Sequence, residues 1–365
     1  MTRIKEIIDY LESIAPVAFQ EEYDNSGLLI GNDQEPVKEI LITLDITEAV
    51  IKEAIDSGCN LIIAHHPLIF KGIKKLTGNN YVERAILLAI KNDIAIYGIH
   101  TNLDNIKTGV NKKIAEKVGL TNLSILQPKK NTLLKLVTFV PIKNTAEVSN
   151  ALNNAGAGQI GNYKNCSFRV SGTGTFKPDE NAAPHIGKSD EQEEVEENRI
   201  EVLLPVHLES KILKALRDSH PYEEVAYYVT KLENQNQELG AGMIGELPEE
   251  MDSMEFLLAL KERLNLKVLK HTAALDRKIK KVAVCGGSGS FLLSKAMNQK
   301  ADVFISSDFK YHEYFGSENR IIIADIGHYE SEVFTKDLIY EFLNKKFTNI
   351  ALNLSKVGTN PISYL

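Results

Sequence analysis

The chain of 365 residues has no tryptophan and only three cysteines, Cys59, Cys166 and Cys285. Three scattered thiols can neither frame a disulfide scaffold nor supply a thiolate metal cluster. No apolar run approaches the roughly 20 residues of a membrane-spanning helix. The opening MTRIKEIIDYLESI sets charges among Ile and Leu at helical spacing and has no signal-peptide apolar core, so a cytoplasmic location is expected. Positive charge is also in short supply. Lys and Arg number 42 against 49 Asp and Glu, a net charge of −7, which leaves no electrostatic footprint for nucleic acid. What remains is an ordinary globular composition in a chain longer than one core usually fills, so two domains are expected.

Leu61, Ile62, Ile63 and Ala64 form a short apolar run bounded by Gly58 and Pro67, which predicts a buried strand. His65 and His66 come directly after it. Neighbouring strand residues point to opposite faces, so the two imidazoles converge only if the strand has already ended. A second run, Ile94–Ile99, ends in His100, with Asp104 four residues on. A third, Ile321–Ala324, leads through Gly327 to His328, with Glu332 four residues on. A helix starting there puts His328 and Glu332 on one face.

Open α/β sheets bind ligands at the carboxyl ends of their strands. One histidine at a strand end ordinarily bonds a backbone carbonyl, but a convergent set is different. His65, His66, Asp104, His328 and Glu332 offer mixed nitrogen and oxygen ligands suited to Zn, Fe, Mn or Co. A carboxylate bridging two ions about 3.5–4 Å apart makes such a set a two-metal site. His100 is then a weaker ligand or a general acid/base. Asp308 and His312, behind the run Val303–Ser306, are candidates to touch substrate or brace the ligands. His100, His312 and Asp308 are thus the candidate catalytic residues. Gly286, Gly287, Ser288 and Gly289 lie between a strand and a helix, where backbone N–H groups can cradle an anion. No Walker lysine accompanies them, and a tight turn is the equal alternative.

Strands and helices alternate up to Pro128, which predicts a parallel-rich sheet with helices on its faces. The order then becomes strand–helix–strand twice over, as in a ferredoxin-like α+β unit. Within it GTGTFKP (Gly172–Pro178) reads as a loose stretch, and the acidic run Ser189–Asn198 as a solvated loop. His220–Tyr228 reads as a folding feature or interface. From Gly240 the α/β rhythm returns. The expected fold is α/β, a metal-binding core in two halves, 1–128 and 239–365, interrupted by an inserted α+β domain at 129–238.

The motifs DNSGL (Asp24–Leu28), AHHPLIF (Ala64–Phe70), HTNLD (His100–Asp104), GTGTFKP, HPYEEVAY (His220–Tyr227), GGSGS (Gly286–Ser290), SDFKYHE (Ser307–Glu313) and GHYESE (Gly327–Glu332) run in order along nearly the whole chain. Together they resemble the GTP cyclohydrolase I type 2 homologues, also called NGG-interacting-factor-three-like proteins. Many relatives have Trp before the Asp-Asn pair where this chain has Tyr23. The resemblance implies a dinuclear centre on His65, His66, Asp104, His328 and Glu332, with Glu332 as the bridge. It carries with it two divalent transition-metal ions per chain, Zn favoured over Fe, Mn or Co. The resemblance also implies a CutA-like, PII-like insert and a toroidal homohexamer. The family name implies GTP cyclohydrolase activity, which these residues do not themselves establish. Two functions fit: a metal-dependent hydrolase acting on a nucleotide or phosphorylated small molecule, or a non-catalytic metal-handling or regulatory ligand-binding ring assembly. Neither reading invokes nucleic acid or a membrane.

Overall fold

Short β-branched runs bounded by turn residues set the strands. In the computed structural model, which describes residues 1–365, the first are Gly27–Ile30 (β1), Glu39–Thr43 (β2), Leu61–Ala64 (β3), Ala95–Gly98 (β4) and Thr121–Lys129 (β5). Next come Leu133–Pro141 (β6), Ser167–Phe176 (β7), Glu193–Pro205 (β8) and Tyr227–Lys231 (β9). The last are Asn236–Met251 (β10), Lys270–His271 (β11), Ile279–Ser288 (β12), Val303–Ser307 (β13), Ile322–Asp325 (β14) and Ala351–Leu354 (β15). The chain divides into two compact units, one of Met1–Pro128 with Gln237–Leu365 and the other of Lys129–Asn236. No helix is long and apolar enough to cross a membrane.

The first unit holds two sheets where the alternation of elements suggested one. The first sheet has the order β1-β4-β3-β2-β15, parallel except for β1. The second has the order β11-β14-β13-β12-β10-β5; β12, β13 and β14 run parallel, while β10 and β11 pair antiparallel. Periodicity reports burial and not partners, so it cannot say which runs pair. Ile40, Ile42, Leu61 and Ile63 share one core with Val282, Val284, Val303 and Ile305 of the second sheet. Their strand neighbours Leu41, Ile62, Ala64 and Ile96 point the other way, into a cluster with the helices Glu48–Asp56 and Tyr81–Lys91. Phe304 and Ile323 likewise face Leu292 and Ala296. Strands covered on both faces read as continuous apolar runs, which makes them visible in the sequence. The parallel direction brings the carboxyl ends of β2, β3 and β4 to one edge.

The second unit is one antiparallel sheet of order β7-β8-β6-β9. The helices Thr145–Ala155 and Glu209–Ser219 cover one of its faces through Leu136, Leu152, Val202, Ile212 and Leu216. Two expectations are corrected here. Gly172–Phe176 of the supposedly loose motif belongs to β7, and Glu193–Asn198 of the acidic run belongs to β8. The β7–β8 ladder supplies the backbone hydrogen bonds whatever the side chains are, and Glu194 and Glu196 point to solvent. Composition alone cannot distinguish such a ribbon from a loop.

Candidate metal centre

Residues at the ends of five strands meet at one place in the first unit. Asp45 lies just past β2, His65 and His66 past β3, and His100 and Asp104 past β4. Asp308 comes directly after β13, while His328 and Glu332 begin and end the short helix after β14. His66 Nε2 and His328 Nε2 lie 3.0 and 3.1 Å from the same oxygen, Glu332 Oε2. His65 Nε2 lies 3.6 Å from Asp104 Oδ1. The donor atoms form three groups, each within 4.8 Å: His65, His66 and His100; His66, His328 and Glu332; His65, Asp104 and Glu332. Glu332 therefore joins two triads.

Each imidazole is held from behind through Nδ1. His65 donates to Ile99 O at 2.9 Å, His66 to Asp45 Oδ1 at 2.7 Å, His100 to Asp24 Oδ1 at 2.8 Å and His328 to Asp308 Oδ2 at 2.6 Å. Carbonyl and carboxylate oxygens accept these bonds, so Nδ1 carries the proton and Nε2 is the nitrogen offered to the centre. This is the arrangement that orients metal-binding histidines and raises their basicity.

The electrostatics test the fit of a cation. His65 Nε2 and Asp104 Oδ1 are buried and hydrogen-bonded to nothing. Burial holds His65 neutral, its pKa pushed down to about 3, so a bare lone pair faces a carboxyl oxygen. Their 3.6 Å separation is too long for a hydrogen bond. Two buried polar atoms side by side without a hydrogen-bond partner are costly, and a cation between them removes the cost. Burial, with the nearby charge of Glu332, also pushes the Asp104 carboxyl well up. On the other side, burial opposes charge on His66, but its bonds to Asp45 and Glu332 prevail and raise its pKa to about 10. The bond to Glu332 lifts His328 to about 9 against burial. Glu332, despite its burial, is held well below the usual carboxylate range by bonds from His328 and His66. Two imidazolium protons thus supply the positive charge that divalent ions would supply. The donor set of imidazole nitrogens and carboxylate oxygens fits borderline divalent metals.

Other candidates land differently. Asp308 is present but turned to His328, with a left-handed φ of +60° that Asp tolerates better than most side chains. His312 is exposed, packs against Tyr311 and Phe315, and belongs to none of the donor groups. In the Gly-rich turn two of the N–H groups are engaged by side chains of the chain itself. Gly286 N–H donates to Asn111 Oδ1 at 3.0 Å and Gly287 N–H to Ser331 Oγ at 2.9 Å. Gly287 has φ +59°, and a Cβ there would collide with Glu332 Oε1, so this glycine makes room for the carboxylate.

Two supporting carboxylates escape a reading of the sequence alone. Asp45 fixes His66 and is itself held by Thr359 Oγ1 at 2.6 Å. Asp24 fixes His100 and accepts from Thr101; burial opposes its charge, yet these bonds hold it far below the usual carboxylate range. Asp45 has one usable signal, since it sits behind its strand as the histidines sit behind theirs.

Fold and site together define a mixed α/β protein with a histidine- and carboxylate-lined group able to hold metal. The sequence model of Duf34/NIF3 (NGG1p interacting factor 3) matches residues 2–361, and the chain belongs to that family. It is similar to the GTP cyclohydrolase 1 type 2 homolog of Halalkalibacterium halodurans, at 38% identity over 98% of each chain. The homologue of the same name from Bacillus subtilis is also 38% identical, over 99% of this chain and 98% of that one. A Bacillus cereus protein related to NIF3 has a solved structure that superposes with a TM-score of 0.86 at 41% identity, covering 100% of this chain and 99% of that one. A Staphylococcus aureus structure gives 0.80 at 30% identity with the same coverage.

Proposed function

We propose that the chain binds two divalent metal ions and acts as a metal-dependent hydrolase on a nucleotide or phosphorylated small molecule. The observation that carries this is the orphaned pair His65 Nε2 and Asp104 Oδ1, set beside a Glu332 shared with His66 and His328. His65, His66, Asp104, His328 and Glu332 would hold the ions, with Glu332 as the bridge and Zn ahead of Fe, Mn or Co. Such ions supply Lewis acidity toward water and toward a substrate oxygen. The chain's own part is orientation and proton handling. Asp24 fixes the His100 tautomer and leaves Nε2 free to take a proton from water and return it to the leaving group. Asp45 and Asp308 keep His66 and His328 aimed at Glu332. The names of the relatives support a nucleotide as substrate. We read the Lys129–Asn236 unit as a CutA/PII-like insert through which chains assemble into a toroidal homohexamer in the cytoplasm.

A non-catalytic metal-handling assembly is the second reading. It is favoured by the scarcity of proton carriers, because Asp308 is engaged by His328 and His312 lies outside the donor groups. Metal quantification and a nucleotide and phosphoester panel on one preparation separate the two. The parent should carry two ions per chain, and Glu332→Gln should lose most of both. His100→Ala should keep its metal and lose turnover by at least about a hundredfold, the usual weight of a general base. A Glu332→Gln protein that holds two ions would refute the bridging role. A parent no faster than free metal on every substrate would end the hydrolase reading and leave the binding one.

A further inference from the structure

The stretch that follows β15, Ser355–Leu365, forms no helix or strand, yet its polar side chains are directed at groups behind the metal ligands. Its root is fixed on the first sheet. Ser355 N–H donates to Ile42 O at 2.8 Å, while Ser355 Oγ and Lys356 N–H donate to the Glu53 carboxylate at 2.5 and 2.8 Å. Val357 packs against the cluster that holds Leu41 and Ile62. Beyond it apolar burial fades, and Ile362 and Leu365 are exposed.

Two consecutive residues then reach the two halves of the centre. Thr359 Oγ1 donates to Asp45 Oδ2 at 2.6 Å, and the other oxygen of that carboxylate holds His66 Nδ1. Asn360 Nδ2 donates to Glu330 Oε1 at 2.9 Å. The Ile362 N–H donates to Asn360 Oδ1 at 3.0 Å, which fixes the direction of the amide. Glu330 lies in the helix His328–Glu332, two residues from each of those side chains. Residues two apart do not share a helix face, so Asn360 grips the helix on the side turned from the donor groups.

That helix needs gripping. It is five residues long and starts on Gly327, whose φ is +87°. So short a helix has little stability of its own, and its orientation is set by what packs on it. On the inside Ser331 Oγ accepts from the Gly287 N–H, and on the outside Asn360 holds Glu330. The Tyr364 hydroxyl stands against the same helix start, 3.4 Å from where a Cβ on Gly327 would lie.

We propose that Ser355–Leu365 is a clasp on the metal centre. Thr359 and Asn360 are its positioning residues, pinning the support of His66 and the helix of His328 and Glu332 at once, and so slowing the release of bound ions. Hydrogen bonds rather than apolar burial hold the stretch beyond Val357, so it opens locally while the core stays intact. Opening frees both supports together. By reciprocity, a clasp that favours the bound ion is itself closed by that ion. The inference rests on the metal reading above and concerns retention of the ions, not turnover.

The test loads the full-length protein with Zn, mixes it with an excess of a chromophoric chelator and follows release by absorbance. The double variant Thr359→Val, Asn360→Ala should release Zn about tenfold faster, the lower end for losing a group that braces a ligand. Its metal-free unfolding temperature should match the parent's. Thr359→Ser keeps the hydroxyl and should release at the parent's rate, as should Ile362→Ala, whose side chain is exposed. In hydrogen exchange, Zn should slow the amides beyond Val357 in the parent and not in the double variant. The inference is overturned if the double variant releases Zn at the parent's rate, if Ile362→Ala speeds release as much, or if Zn leaves exchange in the parent's clasp unchanged. A lower metal-free unfolding temperature in the double variant would show a brace of the fold and overturn it too. These failures leave the metal reading standing; a parent that takes up no Zn would overturn both.

Discussion

Removing Asp45 tests the metal centre without touching a donor atom. Its carboxylate accepts from His66 Nδ1 at 2.7 Å, and Thr359 holds its other oxygen. With an ion on Nε2, that bond keeps the ring aimed and strengthens its basicity. A hydrogen bond to a charged group contributes about 1.5–3 kcal/mol. Asp45 is 32% exposed at its side chain, which places the effect toward the lower end. Asp45→Ala should therefore weaken binding roughly 10- to 100-fold, the usual result of losing such a supporting partner. The fold should survive, since the bond from Thr43 Oγ1 goes to the Asp45 backbone oxygen. Competition for Zn against a chromophoric chelator near neutral pH measures the change, with His66→Ala as the yardstick for losing a ligand. Unchanged affinity would show that His66 needs no anchor. A loss as deep as that of His66→Ala would show that Asp45 is itself a ligand and that the assignment is wrong.

Gly287→Ala combines a strained φ of +59° with a collision against Glu332, so it should lower stability by about 1–3 kcal/mol and also deplete metal. Gly58→Ala, with φ +76° and open space around it, should cost stability alone; equal metal content in both variants would contradict the role of Gly287. Metal loading near neutral pH should release protons, because His66 and His328 keep theirs up to about 10 and 9 without an ion, and burial pushes the Asp104 carboxyl up. Ligation needs all three deprotonated, so affinity should rise with pH toward those values and fall as acid is added. Calorimetry in two buffers of different ionisation enthalpy reads the proton count, and a heat independent of buffer would refute it.

The elements that place the centre are legible in the sequence because strands buried on both faces are continuous apolar runs. Leu61–Ala64 is fully buried, and polar residues directly behind such a run stand out. His328 and Glu332 are legible as a pair because residues four apart share one face of a helix, and that helix forms. The pairing of runs into two sheets is not legible, since no local pattern records that β15 joins β2 or that β5 joins β10. Asp24 and Asp45 are hidden for a related reason. A lone carboxylate is unremarkable until the fold puts an imidazole 76 or 21 positions away against it. The exposure of His312 is not legible either, because a histidine behind a strand looks the same whether it turns toward the centre or toward solvent.

His66 and Glu332 are 266 positions apart in the chain, with the whole of Lys129–Asn236 between them. An ion gripped by both is a rivet that closes a very long loop. On chain-entropy arithmetic a cross-link of that span withdraws about 5.6 kcal/mol of freedom from the unfolded chain. During synthesis the rivet cannot be set until Glu332 has emerged, long after the histidines. On the proposed metal binding, capture of the ion would be the closing event of folding. A chelator should act on the first unit as a reducing agent acts on a disulfide-stapled protein, loosening one half of the chain from the other.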